Sequence, residues 1–133
     1  MFLSIDFEDF SHDLKRDLGL WKTGPMRIDS LWESYHEINV FLKEIGGSKG
    51  QKATFFCTGI IAEQAPDLVK KIAEDGHEIA CHYYFHDEMY HQDLTTVEAN
   101  LKRAKYLLET SSGSQVFGFR APKFKIDKMN AEQ

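Results

Sequence analysis

The run Ala53-Thr54-Phe55-Phe56-Cys57-Thr58-Gly59 constrains the fold of this chain most strongly. It is continuously apolar rather than alternating, the pattern of a strand buried on both faces in a parallel sheet. Parallel strands need long crossovers, most often helices. Both flanks supply one. Upstream, Ser30 and Glu33 form a capping box, and Leu31, Tyr35, Ile38, Leu42 and Ile45 keep helical spacing until Gly46-Gly47. Downstream, Pro66 suits the first turn of a helix with the apolar face Leu68, Val69, Ile72 and Ala73, closed by Asp75-Gly76.

The alternation continues in both directions. Phe2 to Phe7 reads as a strand that runs into the acids Asp6, Glu8 and Asp9. His77 to Cys81 reads as a strand that delivers His82. Thr95 and Glu98 make a second capping box, opening a helix with the stripe Val97, Leu101, Ala104, Leu107 and Leu108 that stops near Ser111-Ser112-Gly113. Val116 to Arg120 reads as a fourth strand. Ser11 to Ile28 is polar, carries Gly19, Gly24 and Pro25, and reads as a long surface loop, with Trp21 packing on the adjacent helix. The order β-α-β-α-β-α-β predicts an α/β fold of parallel β/α units. Right-handed crossovers place all four strand C-termini on one side, where active sites of such sheets lie.

That side would gather Asp6 to Asp9, Thr58, His82 to His86 and Arg120. His82 and His86, four residues apart, converge on one ion if the chain turns helically after His82. Asp6 and Glu8 alternate by two and share a strand face. Three carboxylates at the end of a buried strand repel unless they share a cation or reach solvent. His77 is expected to pack or cap, and His12, His36 and His91 to lie on the surface. Cys57 and Cys81 read as buried free thiols of a cytoplasmic protein, in keeping with the absence of a leader pattern in the first residues. The 133 residues suffice for one modest core, and a net charge of −5 with scattered Lys and Arg gives no footprint for nucleic acid. No apolar run reaches membrane-spanning length, so no membrane partner is expected.

Taken in order, the motifs resemble the polysaccharide deacetylase family, carbohydrate esterase family four. Leu3-Ser4-Ile5-Asp6-Phe7-Glu8-Asp9 resembles its acidic first motif, and Gly76-His77-Glu78-Ile79-Ala80-Cys81-His82-Tyr83-Tyr84-Phe85-His86 its second. Phe119-Arg120-Ala121-Pro122 resembles the third, and Ala53 to Gly59 the strand between them. The resemblance implies the N-terminal half of a distorted (β/α) barrel, one domain over residues 1–133 that is incomplete at its C-terminus. It implies hydrolysis of the N-acetyl amide of an N-acetylated sugar or polysaccharide, releasing acetate, with a divalent metal, usually zinc. His82, His86 and one carboxylate would hold the metal, a second carboxylate would be the general base, and Arg120 would pair with that base.

Asp6 is read as base and Glu8 as ligand. The rival register makes Glu8 the base and Asp9 the ligand. Tyr83, where the family usually has Ser or Thr, and Pro122 of the third motif are expected at the substrate. The family's later motifs, an Asp-Trp segment and a late acid histidine, would fall after Gln133. Four strands leave a sheet edge open, and self-association through it is expected. The alternatives are a metal-independent amide or ureide hydrolase of the same fold, or an inactive binding or oligomerising module.

Overall fold

In the computed structural model, which describes residues 1–20 and 24–124, three strands form one parallel sheet in the order β1-β2-β3. They are β1 (Ser4–Phe7), β2 (Thr54–Cys57) and β3 (Glu78–Cys81). The register pairs Asp6 with Phe56 and Phe56 with Ala80, and Phe7 with Cys57 and Cys57 with Cys81. The helices among the described residues are α1 (Phe10–Asp17), α2 (Ile28–Ile45), α3 (Gly59–Gln64), α4 (Pro66–Glu74) and α5 (Leu94–Ser112). The parallel β/α order read from the sequence is therefore present.

Period-two alternation gives the sheet two unlike faces. Phe7, Phe55, Cys57, Ile79 and Cys81 enter one core with Leu31, Tyr35 and Leu42 of α2, Leu68, Val69 and Ile72 of α4, and Ala104 and Leu108 of α5. Tyr35 meets Phe7 and Phe55 edge-on, with centroids 6.5 and 5.7 Å apart, contacts worth about 0.5–1.5 kcal/mol each beyond their buried area. At Gly59, α3 lies close against Ala104 of α5. A Cβ there would stand 2.7 Å from Tyr84 Cδ2 and 2.9 Å from Ala104, so only glycine permits the approach.

The opposite face carries Ser4, Asp6, Thr54, Phe56, Glu78 and Ala80, of which only Ala80 is buried. The reading of β2 as covered on both sides therefore fails at Thr54 and Phe56. Among the described residues, the helices that pack on the sheet join the core on its other face. Val116 to Arg120 is also not a strand. It makes a single parallel bridge, Phe119 to Cys81, through Cys81 N–H to Gly118 O (2.8 Å) and Arg120 N–H to Cys81 O (2.9 Å). Pro122 has no N–H with which to prolong the ladder.

Helix starts differ from the capping boxes. The N-cap of α5 is Asp93, whose Oδ1 accepts the Thr96 N–H at 2.8 Å, and α2 begins at Ile28, ahead of Ser30. The segment read as a loop from Ser11 contains α1, capped by Asp9. Its inward residues are His12 and Asp13, so it shows no buried apolar stripe, and His12 is buried rather than at the surface. Ile45 is exposed at the end of α2. Trp21 lies outside the described residues.

The expectations for His77 and the two cysteines hold. His77 is buried, its Nδ1 accepting from Ala53 N–H at 3.2 Å and its Nε2 facing Asn39 Oδ1 at 3.0 Å, which ties α2 to the sheet. Cys57 and Cys81 are free and buried, and burial pushes the Cys81 thiol up to about 11. No helix among the described residues is long and apolar enough to cross a membrane.

Candidate metal centre

The C-terminal ends of β1 and β3 set the site. After β3 the chain does not turn helically, as the histidine spacing suggested. Instead Tyr83 adopts a left-handed backbone, φ 65°, uncommon for a residue with a bulky side chain. Two anchors hold it there. The carbonyls of Tyr83 and Tyr84 accept the N–H groups of Gly59 and Ile60 at the start of α3, at 2.8 and 3.0 Å. The Tyr83 hydroxyl donates to Gln92 Oε1 (2.6 Å) and accepts from Asn100 Nδ2 (3.0 Å). The kink brings the His82 and His86 rings to a centroid separation of 5.1 Å.

His82 Nδ1 stands 2.8 Å from the carbonyl oxygen of Arg120. A carbonyl can only accept, so Nδ1 carries the proton and the Nε2 lone pair faces the site. There it meets Glu8 Oε2 at 3.7 Å and Asp6 Oδ2 at 4.0 Å, while His86 Nε2 lies 3.0 Å from the same Glu8 oxygen. His82 Nε2 and Glu8 Oε2 are both buried and have no hydrogen-bond partner among the described residues, the 3.0 Å contact of Glu8 with His86 lacking hydrogen-bond geometry. Buried polar atoms are nearly always satisfied, so two orphans facing each other call for a third party.

A divalent cation fits. Two donors, each about 2.0–2.2 Å from one tetrahedral ion, stand roughly 3.4 Å apart, and the observed 3.0 and 3.7 Å bracket that value. Burial holds both imidazoles below their ordinary pKa, so they are neutral near pH 7, as ligands must be. Burial, then the charges of Asp6 and Asp17, push Glu8 up to about 6, which a bound cation would reverse.

Across the strand ends, Arg120 Nη1 donates to Asp6 Oδ1 at 2.5 Å and Nη2 to Ser4 Oγ at 2.8 Å. Its guanidinium lies 4.1 Å above the Phe56 ring. Asp6 thus has one oxygen on the arginine and the other turned toward the histidines. Of the residues expected at the site, Asp6, Glu8, His82, His86 and Arg120 come together.

Asp9, Tyr83 and Pro122 do not. Asp9 Oδ1 accepts from His12 N–H (3.1 Å) and Oδ2 from Arg27 N–H (3.0 Å), so both of its oxygens cap backbone. Tyr83 is wholly buried against Met89 and Val97, and Pro122 is buried as well. Neither offers a side chain to a ligand. Ser4 and Phe56, the supports of Arg120, were not anticipated. The sequence carries a signal for Ser4, which alternates by two with Asp6, whereas the pairing of Phe56 with Asp6 comes from the sheet register.

The sequence profile described as polysaccharide deacetylase matches residues 30–132. The peptidoglycan deacetylase-like protein FGM2 of Gibberella zeae is 35% identical over 77 residues, 58% of this chain and 23% of that protein. A family 4 carbohydrate esterase from Streptomyces lividans, solved with acetate, has a TM-score of 0.69 at 18% identity, covering 99% of this chain and 55% of its own. A family 4 pseudoenzyme from Bacillus anthracis has a TM-score of 0.73 at 18% identity, covering 98% and 38%. The chain thus spans about a quarter of the curated relative and about half or less of these structures. Such identities carry the fold alone, and a fold shared by an esterase and a pseudoenzyme leaves function to the local chemistry.

Proposed function

The chain belongs to the polysaccharide deacetylase family, and on that premise we propose that it hydrolyses the N-acetyl amide of an N-acetylated sugar or polysaccharide with a divalent cation held by Glu8, His82 and His86. The observation that carries this reading is the convergence of unsatisfied His82 Nε2 and Glu8 Oε2 beside the Asp6–Arg120 pair. Two imidazoles and one carboxylate are a borderline donor set that suits zinc. When bound, the cation supplies Lewis acidity toward a carbonyl oxygen.

The chain's own groups divide the remaining work. His82 is held in one tautomer by the Arg120 carbonyl, and its buried ring keeps the donor atom aimed without reorganisation. Asp6 Oδ2, the oxygen not engaged by Arg120, is the general base: it takes the proton of a water that attacks the acetamide carbon. The C–N bond then breaks as the proton held by Asp6 passes to the departing amine nitrogen, which regenerates the carboxylate, and acetate leaves. Arg120 holds Asp6 in orientation through the Nη1 contact, and is itself aligned by Ser4 and Phe56.

The test combines metal analysis with turnover on N-acetylglucosamine oligomers. Acetate release should require the metal, stop on chelation and return with zinc. Turnover unchanged by chelation, or equal in His82→Ala, would remove the metal-dependent reading and favour metal-independent amide hydrolysis.

A further inference from the structure

Helix α1 is built inside out. Phe10, Leu14 and Leu18 are 75%, 46% and 67% exposed, while His12 and Asp13 face inward at 5% and 6%. Apolar burial therefore does not hold this helix against the protein, and its polar inner face must. The central contact of that face is Arg16. Its guanidinium carbon sits 3.4 Å from the centroid of the Phe85 ring. The same group forks onto Asp87, Nε to Oδ1 at 3.3 Å and Nη2 to Oδ2 at 2.7 Å. His12 adds a stacked contact on Phe85, centroids 6.3 Å apart and planes within 19°.

Phe85 and Asp87 are the two neighbours of His86. Residues 85–88 belong to no helix or strand, so regular structure does not set the direction of the His86 side chain. We infer that Arg16 is a positioning residue for His86: by gripping both flanking residues it sets the ring against Glu8 Oε2. The inference rests on the reading of Glu8, His82 and His86 as a metal centre. The planar fork matters as well as the charge. One guanidinium can stack on a ring and bind a carboxylate bidentately at once, which an ammonium cannot. Metal donors must be held to within about 0.5 Å, and outer supports of metal histidines are worth about 10- to 100-fold in affinity.

The test is zinc titration of metal-free protein, in competition with a chromophoric chelator, on the unaltered chain and on Arg16→Ala, Arg16→Lys and Lys15→Ala. Arg16→Ala should weaken zinc binding about 10- to 100-fold. Arg16→Lys should lose nearly as much although it restores the charge, whereas Lys15→Ala, on the exposed side of the same helix, should stay within about twofold. Full rescue by lysine would mean that charge alone is needed, and would overturn the inference.

A second readout needs no metal. The proton Overhauser contact between the His82 and His86 rings should be present in the unaltered apoprotein and weakened in Arg16→Ala. Zinc affinity and ring contact both unchanged in Arg16→Ala would also overturn it. If the unaltered protein takes no zinc, yet the ring contact still depends on Arg16, the metal-centre reading falls and the positioning role stands. Should Arg16→Ala not fold, Asp87→Asn, which spares the stack on Phe85, carries the same comparison with a smaller expected loss.

Discussion

On one side of the site, His82 is 1% exposed and its ring is locked to a backbone carbonyl, with His86 and Glu8 closed over it. On the other side, the Asp6 and Arg120 side chains are 32% and 24% exposed on the uncovered face of the sheet. His82 Nε2 and the Glu8 oxygen facing it are desolvated, although the Glu8 side chain as a whole is 24% exposed, so losing a partner there strands a buried atom that water cannot reach. The arginine side is partly solvated, and water can replace much of what a substitution removes. On the proposed function, the first side would bind the cation and the second would orient the base.

The substitution with the largest expected effect should break the buried side outright. His82→Ala should lower zinc affinity by more than about 100-fold, beyond the range of an outer support, as read by chelator competition. Arg120→Lys should separate the two sides. It keeps the charge and the backbone carbonyl that holds His82 Nδ1, but cannot reach Asp6 and Ser4 together while lying on Phe56. Turnover should fall about 10- to 100-fold, a shortfall in general-base orientation, with zinc affinity little changed. Loss of affinity equal to that of His82→Ala would show that the sides are one unit.

Asp13 probes the desolvated side from beside the proposed centre, coupled to Glu8 through charge. Burial, then the charges of Glu8 and Asp9, push it up to about 7 from an ordinary 3.8. The folded protein therefore keeps this proton to higher pH than the unfolded chain does. Stability should fall as pH rises from about 4 to about 7 and level off above that, where both forms are ionised. Asp13→Asn removes the fall, so it should stabilise by about 1–3 kcal/mol at pH 8 and by less at pH 5 in urea melts of metal-free protein. An equal gain at both pH values would contradict the buried charge. The smallest effect is expected on the open side, where Ser4→Ala should cost less than about 1 kcal/mol and slow turnover only a few-fold.

Much of this arrangement was legible beforehand. The strand ends carrying Asp6, Glu8 and His82 follow from hydrophobic period and crossover handedness, both local or general properties, whereas Arg120 ends a segment that reads as a strand and makes a single bridge. α1 was not legible, because its buried residues are His12 and Asp13 and its leucines face outward. A pattern reading sees polar loop where tertiary contacts make a helix. Tyr83 misled for a related reason: its neighbours in sequence are site residues, but its left-handed backbone sends the ring into the core.

By itself the sequence determined the parallel β/α order, the family, and the set of side chains that could meet at one end of the sheet. Those depend on spacing along the chain, which a one-dimensional string records. Which carboxylate is free to bind was decided only in three dimensions. Glu8 and Asp9 are adjacent and chemically alike, and the choice turns on where backbone donors lie. His12 and Arg27 N–H groups take both oxygens of Asp9, while Glu8 is left facing two imidazoles with a buried oxygen unsatisfied. A buried acid must find donors or a cation, and only the packed chain shows which it finds.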